Sequence, residues 1–479
     1  MKKNYANKFA VYPTPEQEKI IQTSFRACAF VWNWALTIKK CDMDIKKLLK
    51  KLDENDFNFN DHVKENLLWS IPKKLREKYS ESTIREIIKL DFFKKDFIEK
   101  KYLLLIAELS IKNSSKEFII KSIRQFLMDN ELPLEKHIST MDLSKLLTVL
   151  KKKQQWLNQV NAQTLIATLR QLDIAFKRLS SKKGKFPRFK NYVEKRSFSN
   201  QQDNRKTPPQ NRVIPISNRY GLLSILKVKD LKIHTHRPIK GKIGTVTISQ
   251  TWTGKYFAAL SIEEEIFPKD IIPTKETTIG IDLNVTHPVV ASNGYVVENP
   301  RFLKKNLERL AVLQRRLQTK RDRNPRWKNS KHYKRLKIQI AKLNEFITNS
   351  RKDLQDKVSH QLVSDEKNEL FVLEDLNVKG MVKNKRLAKH ISDVGFGEIS
   401  NKIKYKATWA GKKYIEVSRF YPSSKTCSFC GFYNKNLEQG KKIWQCPNCK
   451  RTIDRDPNST INLKNEGWRV YSSSSNEGA

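Results

Sequence analysis

Two short apolar runs in the second half of the chain each end in an acidic residue. Ile279-Gly280-Ile281 precedes Asp282, and Leu370-Phe371-Val372-Leu373 precedes Glu374. A short, almost uninterrupted apolar run bounded by polar residues is typical of a buried strand. The pattern therefore predicts two buried strands, each delivering a carboxylate at its carboxyl end, where a sheet opens onto a crevice.

Between these runs, leucine and isoleucine recur at helical spacing. The first stripe comprises Leu303, Leu307, Leu310, Leu313 and Leu317, and the second comprises Leu336, Ile340, Leu343 and Ile347. Asn324-Pro325 separates the two stripes. The pattern predicts a helical hairpin over 302–360, with basic outer faces that a plain solvated surface would also explain.

The N-terminal part predicts a strand, a long helix and a helical bundle. The strand ends at Val11 and Tyr12, and Thr14-Pro15-Glu16-Gln17 has the residue types of a helix start, with Thr14 as the cap. Trp32 and Trp34 on this helix are expected in the core. Residues 42–155 contain few glycines or prolines and predict further helices, with one apolar set comprising Leu103, Leu104, Ile106, Leu109 and Ile111.

From residue 212 the periodicity changes to that of strands. Thr245–Ser249 and Tyr256–Leu260 flank Thr253-Gly254, a turn signal between two alternating segments. This pattern predicts a β-hairpin.

The net charge of the chain indicates the class of its binding partner. The 479 residues include 94 Lys and Arg against 50 Asp and Glu, a formal charge of +44. This excess points to a polyanion, for which nucleic acid is the expected choice, whereas a membrane surface suits a single basic amphipathic helix better. No apolar run is long enough to span a bilayer and Met1-Lys2-Lys3 leads into no signal segment, so we expect a cytoplasmic protein with no membrane partner.

A third acidic stretch, Asp454-Arg455-Asp456, lies near the C-terminus. Three carboxylates converging from separate elements would form a magnesium site, because hard cations prefer oxygen ligands. Two Mg²⁺ ions in such a site can activate water and stabilise the leaving oxygen in phosphodiester cleavage. The alternative is that each acid only caps a helix or pairs with a lysine.

The cysteine spacing predicts one structural zinc ion. Cys427-x-x-Cys430 and Cys446-x-x-Cys449 are separated by 15 residues, and four thiolates leave no open position for water. Disulfides are the competing interpretation, but nothing indicates export. Cys28 and Cys41 fit no such pattern.

A basic segment interleaved with aromatic residues spans 185–190. Its cations suit phosphates and its rings suit bases or sugars. The candidate nucleic-acid contacts here are Lys185, Arg188, Phe189 and Lys190.

Together these motifs resemble the TnpB proteins of transposons and the compact type V (V-F-like) CRISPR effectors. The three acidic stretches are similar to the three motifs of a RuvC nuclease domain, and the segment Ser418–Cys427 and the N-terminal stretch also match. The resemblance covers 1–41 and 156–465. It implies an RNA-guided DNA endonuclease in which Asp282, Glu374 and Asp456, with Asp454 as the alternative, bind Mg²⁺. Without the resemblance, the chemistry of the residues would predict only a metal-dependent nuclease that acts on a polyanion.

The resemblance also implies a multidomain α/β fold: an RNase H-like RuvC domain with an inserted zinc ribbon, and a wedge β-barrel with an inserted helical recognition lobe. Guide-RNA backbone is expected on Arg237, Lys240 and Lys242 of the wedge, and in the family the helical hairpin lines the guide–target channel. The expected limits are wedge strand 1–20, recognition lobe 21–200 with extra insertion 42–155, wedge 201–270, nuclease domain 271–422, zinc ribbon 423–452, and third motif with tail 453–479.

Several departures and alternatives accompany the resemblance. The 42–155 insertion slightly favours a CRISPR effector over TnpB, and it offers a surface for a homodimer on one guide RNA. Asn284 stands where glycine is common in the family. Pro457, Ser459 and Thr460 depart from the usual alanine-rich continuation of the third motif. The rival functions are a guided repressor that has lost cleavage, which predicts a missing acid, and a transposase acting without RNA. A guide RNA and double-stranded target DNA with a short flanking motif are the expected partners.

Overall fold

The protein divides into two compact units, each containing helices and a β-sheet. In the computed structural model the N-terminal unit comprises Asn4–Glu264, and the C-terminal unit comprises Glu265–Ala479 with Met1–Lys3. The described residues are 2–52, 116–129, 138–191, 196–202, 209, 211–267, 271–323, 330–384, 388–438 and 440–476. The predicted multidomain α/β fold is confirmed.

The N-terminal unit combines helices with a seven-stranded sheet. Its elements are β1 (Lys2–Tyr12), α1 (Pro15–Leu52), α2 (Lys116–Asp129), α3 (Thr140–Lys153), a short 3-10 helix (Gln155–Gln159), α4 (Ala162–Ser180), β2 (Ser197–Asn200), β3 (Arg212–Pro215), β4 (Tyr220–Ile225), β5 (Val228–His234), β6 (Lys242–Gln250) and β7 (Tyr256–Glu265). The strand order is β2-β6-β7-β1-β5-β4-β3.

The predicted hairpin is confirmed as β6 and β7. The two strands pair antiparallel, with Gln250 opposite Tyr256. Gly254 in the connecting turn has φ of 90°, a backbone conformation that glycine adopts without steric cost. Closure of this sheet into a wedge barrel stays a prediction.

Helix α1 begins as the sequence predicts. Thr14 Oγ1 accepts a hydrogen bond from the Gln17 backbone N–H at 3.3 Å, and Gln17 Oε1 accepts one from the Thr14 N–H at 2.9 Å. These reciprocal bonds form a capping box, which satisfies donors that the first helical turn leaves unpaired.

The core of this unit lies between α1, α4 and the sheet. Trp32 is 8% and Trp34 is 5% exposed, so their predicted core positions are confirmed. Phe25 of α1, Leu169 of α4 and Ile248 of β6 belong to the same buried cluster.

The described part of the 42–155 segment is helical, as predicted. It contains the end of α1 together with α2 and α3, and Phe126 and Leu143 are buried in the core cluster. The apolar set from Leu103 to Ile111 lies outside the described residues.

The C-terminal unit is built on a five-stranded sheet of order β10-β9-β8-β11-β12. Its elements are β8 (Thr278–Asp282), β9 (Val289–Ala291), β10 (Val296–Val297), α5 (Phe302–Arg323), α6 (Lys331–Ser364), β11 (Leu370–Glu374), α7 (Val378–Met381), α8 (Ala388–Val394), α9 (Phe396–Trp409), β12 (Lys413–Val417), β13 (Ile443–Gln445), β14 (Thr452–Asp454) and α10 (Arg455–Asn476). Strand β11 runs parallel to both β8 and β12, while β9 is antiparallel to β8.

Strand β11 is buried on both faces, as its apolar run predicts. Phe371 and Leu373 share a cluster with Ile403 of α9, and Val372 shares another with Leu463 of α10. Because side chains alternate along a strand, an element covered on both faces needs a continuous apolar run.

Two glycines allow α10 to approach the sheet closely. A Cβ atom at Gly280 of β8 would collide with the backbone of Thr460 and Lys464, and one at Gly467 would collide with Val372. The backbone of α10 therefore lies directly against β8 and β11, which fixes where its first turn lies.

Helices α5 and α6 pack together as the predicted hairpin. Leu343 and Ile347 of the second apolar stripe are buried, while the predicted break at Asn324-Pro325 lies outside the described residues. Although α1 and α6 are long, no helix in the described part of the chain has the length and apolarity needed to cross a membrane.

Candidate functional site

Asp282 and Glu374 end neighbouring parallel strands at the same edge of the sheet. In the β8–β11 pair, Ile281 lies opposite Leu373, and the next residue on each strand is the acid. Both acids are half-buried. The structure thus brings the first two predicted site residues together at matching positions.

Helix α10 brings the third acid to this edge. Its backbone crosses β8 at Gly280. Further along the helix, Lys464 donates a hydrogen bond from Nζ at 3.4 Å to the carbonyl of Glu276, a residue that precedes β8. The helix therefore runs antiparallel to β8, with its first turn beside the strand end. That turn carries Asp456, whose charge helps to raise the pKa of Asp282.

Burial and mutual repulsion raise the pKa values of the strand-end acids. The pKa of Glu374 rises to about 7, mainly because burial penalises the charged form, and then because Asp282 and Asp375 are close. Burial is also the main cause that raises the pKa of Asp282. Arg455 opposes both shifts. A group of half-buried carboxylates that repel one another has the chemistry of a cation site.

The two candidates for the third ligand have different surroundings. Asp454 is exposed, and its Oδ1 accepts a hydrogen bond from the Asp456 backbone N–H at 3.2 Å, which is the contact of a helix cap. Asp456 is half-buried, and its Oδ2 lies 3.6 Å from His287 Nδ1. These surroundings favour Asp456 as the acid that faces the strand ends.

Sequence reasoning missed a loop network that orients two of the acids. Asn284 donates from Nδ2 to Asp282 Oδ2 at 3.1 Å, and its Oδ1 accepts the backbone N–H of His287 at 2.7 Å. His287 in turn faces Asp456. The one available signal was the replacement of the family's usual glycine by Asn284.

The acid beside Glu374 is already paired. Asp375 Oδ2 accepts a hydrogen bond from Arg419 Nε at 3.0 Å, and the two residues form an ion pair. The Asp375 backbone N–H also donates to the Val417 carbonyl at 2.9 Å. Because Arg419 is paired with Asp375, Glu374 is the one of these two neighbouring acids that is available to a cation.

The four predicted zinc ligands form a compact cluster. Their Sγ atoms lie within 4.8 Å of one another, with Cys427 3.7 Å from Cys449 and Cys430 3.6 Å from Cys446. A tetrahedral ion with Zn–S bonds of about 2.3 Å requires S–S distances of about 3.8 Å, so the thiols fit zinc. The disulfide alternative is wrong, because all four cysteines are free.

The two candidate metal sites differ in how closely their side chains approach one another. Among the described residues, only the four cysteines bring three or more possible ligand atoms within 4.8 Å of one another, so the carboxylate oxygens of the three acids are spread more widely. Around the cysteines, Leu437, Trp444 and Ile453 complete a small buried cluster. This cluster is too small to stand on hydrophobic burial alone, which is consistent with a structural metal.

The basic and aromatic segment 185–190 is held against α1. Trp32 Nε1 donates to the Arg188 carbonyl at 3.0 Å, and the Asn33 side chain bonds both backbone groups of Lys190 at 2.7 and 3.0 Å. Lys190 Nζ lies 3.6 Å over the Trp32 ring. The candidates Lys185, Arg188 and Phe189 are exposed, whereas Lys190 is only partly so.

Two of the three candidate contacts within 237–242 line one cavity. Arg237 and Lys242 line a cavity of about 800 Å³, while the carbonyl of Lys240 accepts a hydrogen bond from Tyr5 at 3.2 Å. Arg212 adds a third cation to the lining. The expected RNA contacts of these residues stay predictions.

Three family models match separate parts of the chain. The model described as "Probable transposase" matches 263–385, "Cas12f1-like, TNB domain" matches 396–463, and "Helix-turn-helix domain" matches 1–41. Within the last range the structure contains strand β1 followed by the single helix α1.

Curated relatives decide the family. A protein of Streptomyces pristinaespiralis named "Putative RNA-guided DNA endonuclease" is 31% identical over 334 residues, covering 69% of this chain and 78% of the relative. The chain belongs to this TnpB-like family. A relative of the same description from Escherichia coli K12, InsQ, is 26% identical and covers 66% of this chain and 77% of its own length.

Other similarities are weaker. A "TnpB-like protein" of Methanocaldococcus jannaschii is 29% identical over 222 residues, covering 42% of this chain and 77% of that protein. A solved structure, "Cryo-EM structure of the Cas12f1-sgRNA-target DNA complex", aligns with a TM-score of 0.49 at 16% identity, over 97% of this chain and 99% of that one.

The ranges matched by two of the family models contain the candidate sites. Asp282 and Glu374 fall within 263–385, and the four cysteines and Asp456 fall within 396–463. The first two acids therefore lie in the range that matches the "Probable transposase" model, and the thiol cluster and the third acid lie in the range that matches the "Cas12f1-like, TNB domain" model.

Proposed function

We propose that this protein is an RNA-guided, magnesium-dependent DNA endonuclease with a single nuclease site. The observation that carries the proposal is the register that sets Asp282 beside Glu374 at one sheet edge, with Asp456 on the helix that crosses the same strands. The expectation of a guide RNA comes from the names of the relatives. The formal charge of +44 is the reason to expect that the protein binds both RNA and DNA.

Asp282, Glu374 and Asp456 would hold Mg²⁺, since three carboxylates are the oxygen donors that this cation prefers. When bound, Mg²⁺ lowers the pKa of the attacking water and stabilises the leaving oxygen in phosphodiester hydrolysis. The protein's own contribution is orientation. Asn284 fixes one oxygen of Asp282, and Arg419 keeps Asp375 from competing with Glu374.

The domain assignment follows the same proposal. The sheet of order β10-β9-β8-β11-β12 would be the RNase H-like RuvC core, the Cys427–Cys449 module its zinc ribbon, and the seven-stranded sheet the wedge barrel. The division between Glu264 and Glu265 lies close to the expected boundary of 270 and 271. The helices around α1 and α4 would form the recognition lobe.

The guide RNA and target DNA would bind basic surfaces of both units. Arg188 and Phe189 offer an exposed cation and an exposed ring on a segment held by two hydrogen-bonded side chains. Target sequence would be read by base pairing to the guide, and a short flanking motif by the protein. Dimerisation on one guide RNA stays a prediction, tested by the mass of the RNA-bound particle.

The preference for a CRISPR effector over a transposon-encoded TnpB protein also stays a prediction. The flanking DNA tests it: a CRISPR array beside the gene supports the effector, and transposon ends support TnpB.

The test of function begins with the RNA that co-purifies with the full chain. A bound RNA of defined length, and Mg²⁺-dependent cutting of plasmids complementary to a reprogrammed guide, are the expected results. Plasmids with a randomised flank would reveal the flanking motif. Target binding without cutting would support the repressor, and cutting of transposon ends without RNA would support the transposase.

A further inference from the structure

The first turns of α10 are hydrogen-bonded to the loop that carries the first two zinc ligands. We call residues 423–430, which include Cys427 and Cys430, the knuckle loop. Asn458 Nδ2 donates to the Thr426 carbonyl at 2.7 Å, and its Oδ1 accepts the Ser428 backbone N–H at 2.8 Å. One turn later, Asn462 Nδ2 donates at 2.7 Å to the carbonyls of both Ser423 and Thr426.

These contacts are buried. Asn458 is 2%, Asn462 is 4% and Ser423 is 3% exposed, and Ser459 Oγ donates to Ser423 Oγ at 3.1 Å. Breaking a buried bond leaves a polar group without a partner, which costs more than the bond contributes when it forms. These buried bonds therefore hold the knuckle loop against the start of α10.

The second pair of zinc ligands reaches α10 through the chain itself. Strand β14 pairs with β13 on either side of Cys446 and Cys449, and it ends at Asp454, directly before the helix. The Arg455 backbone N–H donates to the Lys442 carbonyl at 2.8 Å, which ties the helix start to the same ribbon. Both pairs of predicted zinc ligands are thus connected to the start of α10.

That turn contains Asp456. We infer that the zinc module positions this carboxylate, with Asn458 and Asn462 as the positioning residues that link the knuckle loop to α10. The inference rests on the proposed function, in which Asp456 is a magnesium ligand.

The link predicts a specific defect. Zinc bound to the four thiols would hold the ends of both knuckles together, so zinc loss or removal of an Asn side chain would allow the first turn of α10 to shift. Asp456 would then spend less time near Asp282, and the Mg²⁺ requirement of the proposed site would rise. The rest of α10 stays in place, because Gly280 and Gly467 keep its backbone against the sheet.

The first test compares Asn458→Ala and Asn462→Ala with Asn465→Ala, an exposed asparagine on the same helix. All three substitutions leave the charge unchanged. The two buried-site variants should retain zinc and guided DNA binding, yet need roughly tenfold more Mg²⁺ for half-maximal cleavage, equivalent to about 1.4 kcal/mol. Unchanged Mg²⁺ dependence in zinc-loaded variants overturns the inference, as does a loss of activity that only follows the unfolded fraction.

The second test needs no variant. Hydrogen exchange of the full chain bound to guide RNA is followed before and after zinc is removed with a chelator. Amides of 456–463 should exchange at least tenfold faster without zinc, while those of 464–474 change little. Equal exchange in 456–463 overturns the inference. A wild-type protein that cuts no guided DNA overturns the proposed function instead, because the exchange result does not depend on cleavage.

Discussion

The carboxylate of Asp454 accepts a hydrogen bond from the backbone N–H of Asp456 at 3.2 Å. The two acids of this motif therefore have different surroundings: Asp454 caps α10, and Asp456 lies near enough to Asp282 to help raise the pKa of that strand-end acid. A cap of this kind contributes about 1 kcal/mol to stability.

This division gives the first prediction. Asp454→Ala should lower the free energy of unfolding by about 1 kcal/mol and leave guided cleavage measurable, whereas Asp456→Ala should abolish cleavage. Chemical denaturation and a plasmid-cutting assay on both variants provide the measurement. If Asp456→Ala still cuts and Asp454→Ala does not, the ligand assignment is reversed.

The second prediction concerns pH. The pKa of Glu374 is raised from its ordinary 4.5 to about 7, so the folded, metal-free protein holds a proton there that the unfolded chain releases. Protonation of Glu374 in the folded state contributes to the free energy of unfolding. This contribution is complete below pH 4.5 and is lost as the pH rises through 7. Because ligands bind metal in their deprotonated form, Mg²⁺ affinity should rise over the same range.

Calorimetry in buffers of different ionisation enthalpy measures this proton release. At pH 6.5, Mg²⁺ binding should release protons from the wild-type protein and fewer from Glu374→Gln. Equal proton release from the two proteins would contradict the assignment of Glu374 as a ligand.

The third prediction is a zinc content of about one equivalent per chain. Cys430→Ser should lose the metal and destabilise the zinc module, because a structural zinc site contributes directly to folding. Cys28→Ala is the matched control, since this buried thiol lies in the core of the N-terminal unit and should leave the zinc content unchanged. Metal analysis without zinc in a correctly folded protein would contradict the site.

The fourth prediction separates two neighbouring cations. Arg188→Ala should weaken guide-RNA binding and reduce the salt dependence by about 0.7 to 0.9 per lost phosphate contact. Lys190→Ala should mainly lower stability, because its ammonium lies over Trp32. Lys152→Ala at the end of α3 is the control for diffuse charge. Equal loss of RNA affinity from Arg188→Ala and Lys152→Ala would mean that the segment is not a special site.

The sequence predicted those features that depend on local pattern. An apolar run ending in an acid identified β8 and β11, because a strand covered on both faces needs apolar residues throughout. The Thr14 capping box and the hairpin around Gly254 follow from local backbone requirements. Four cysteines at fixed spacing likewise define their own site.

The remaining features depend on contacts between residues far apart in sequence. The pairs Asn458–Thr426 and Arg419–Asp375 join segments whose separation carries no periodic signal. Gly280 and Gly467 are visible in the sequence, but a lone glycine in a strand or helix has several explanations. Only the docked helix shows that they permit its close approach.

The most direct test of the central claim measures cleavage and guided binding on the same target. Asp282→Ala, Glu374→Ala and Asp456→Ala should each remove cutting while target affinity changes less than about threefold, since base pairing and backbone contacts lie elsewhere. Asp353→Asn, at an exposed ion pair on α6, should cut like the wild type. Cleavage that persists in any of the three alanine variants would contradict the single three-carboxylate site.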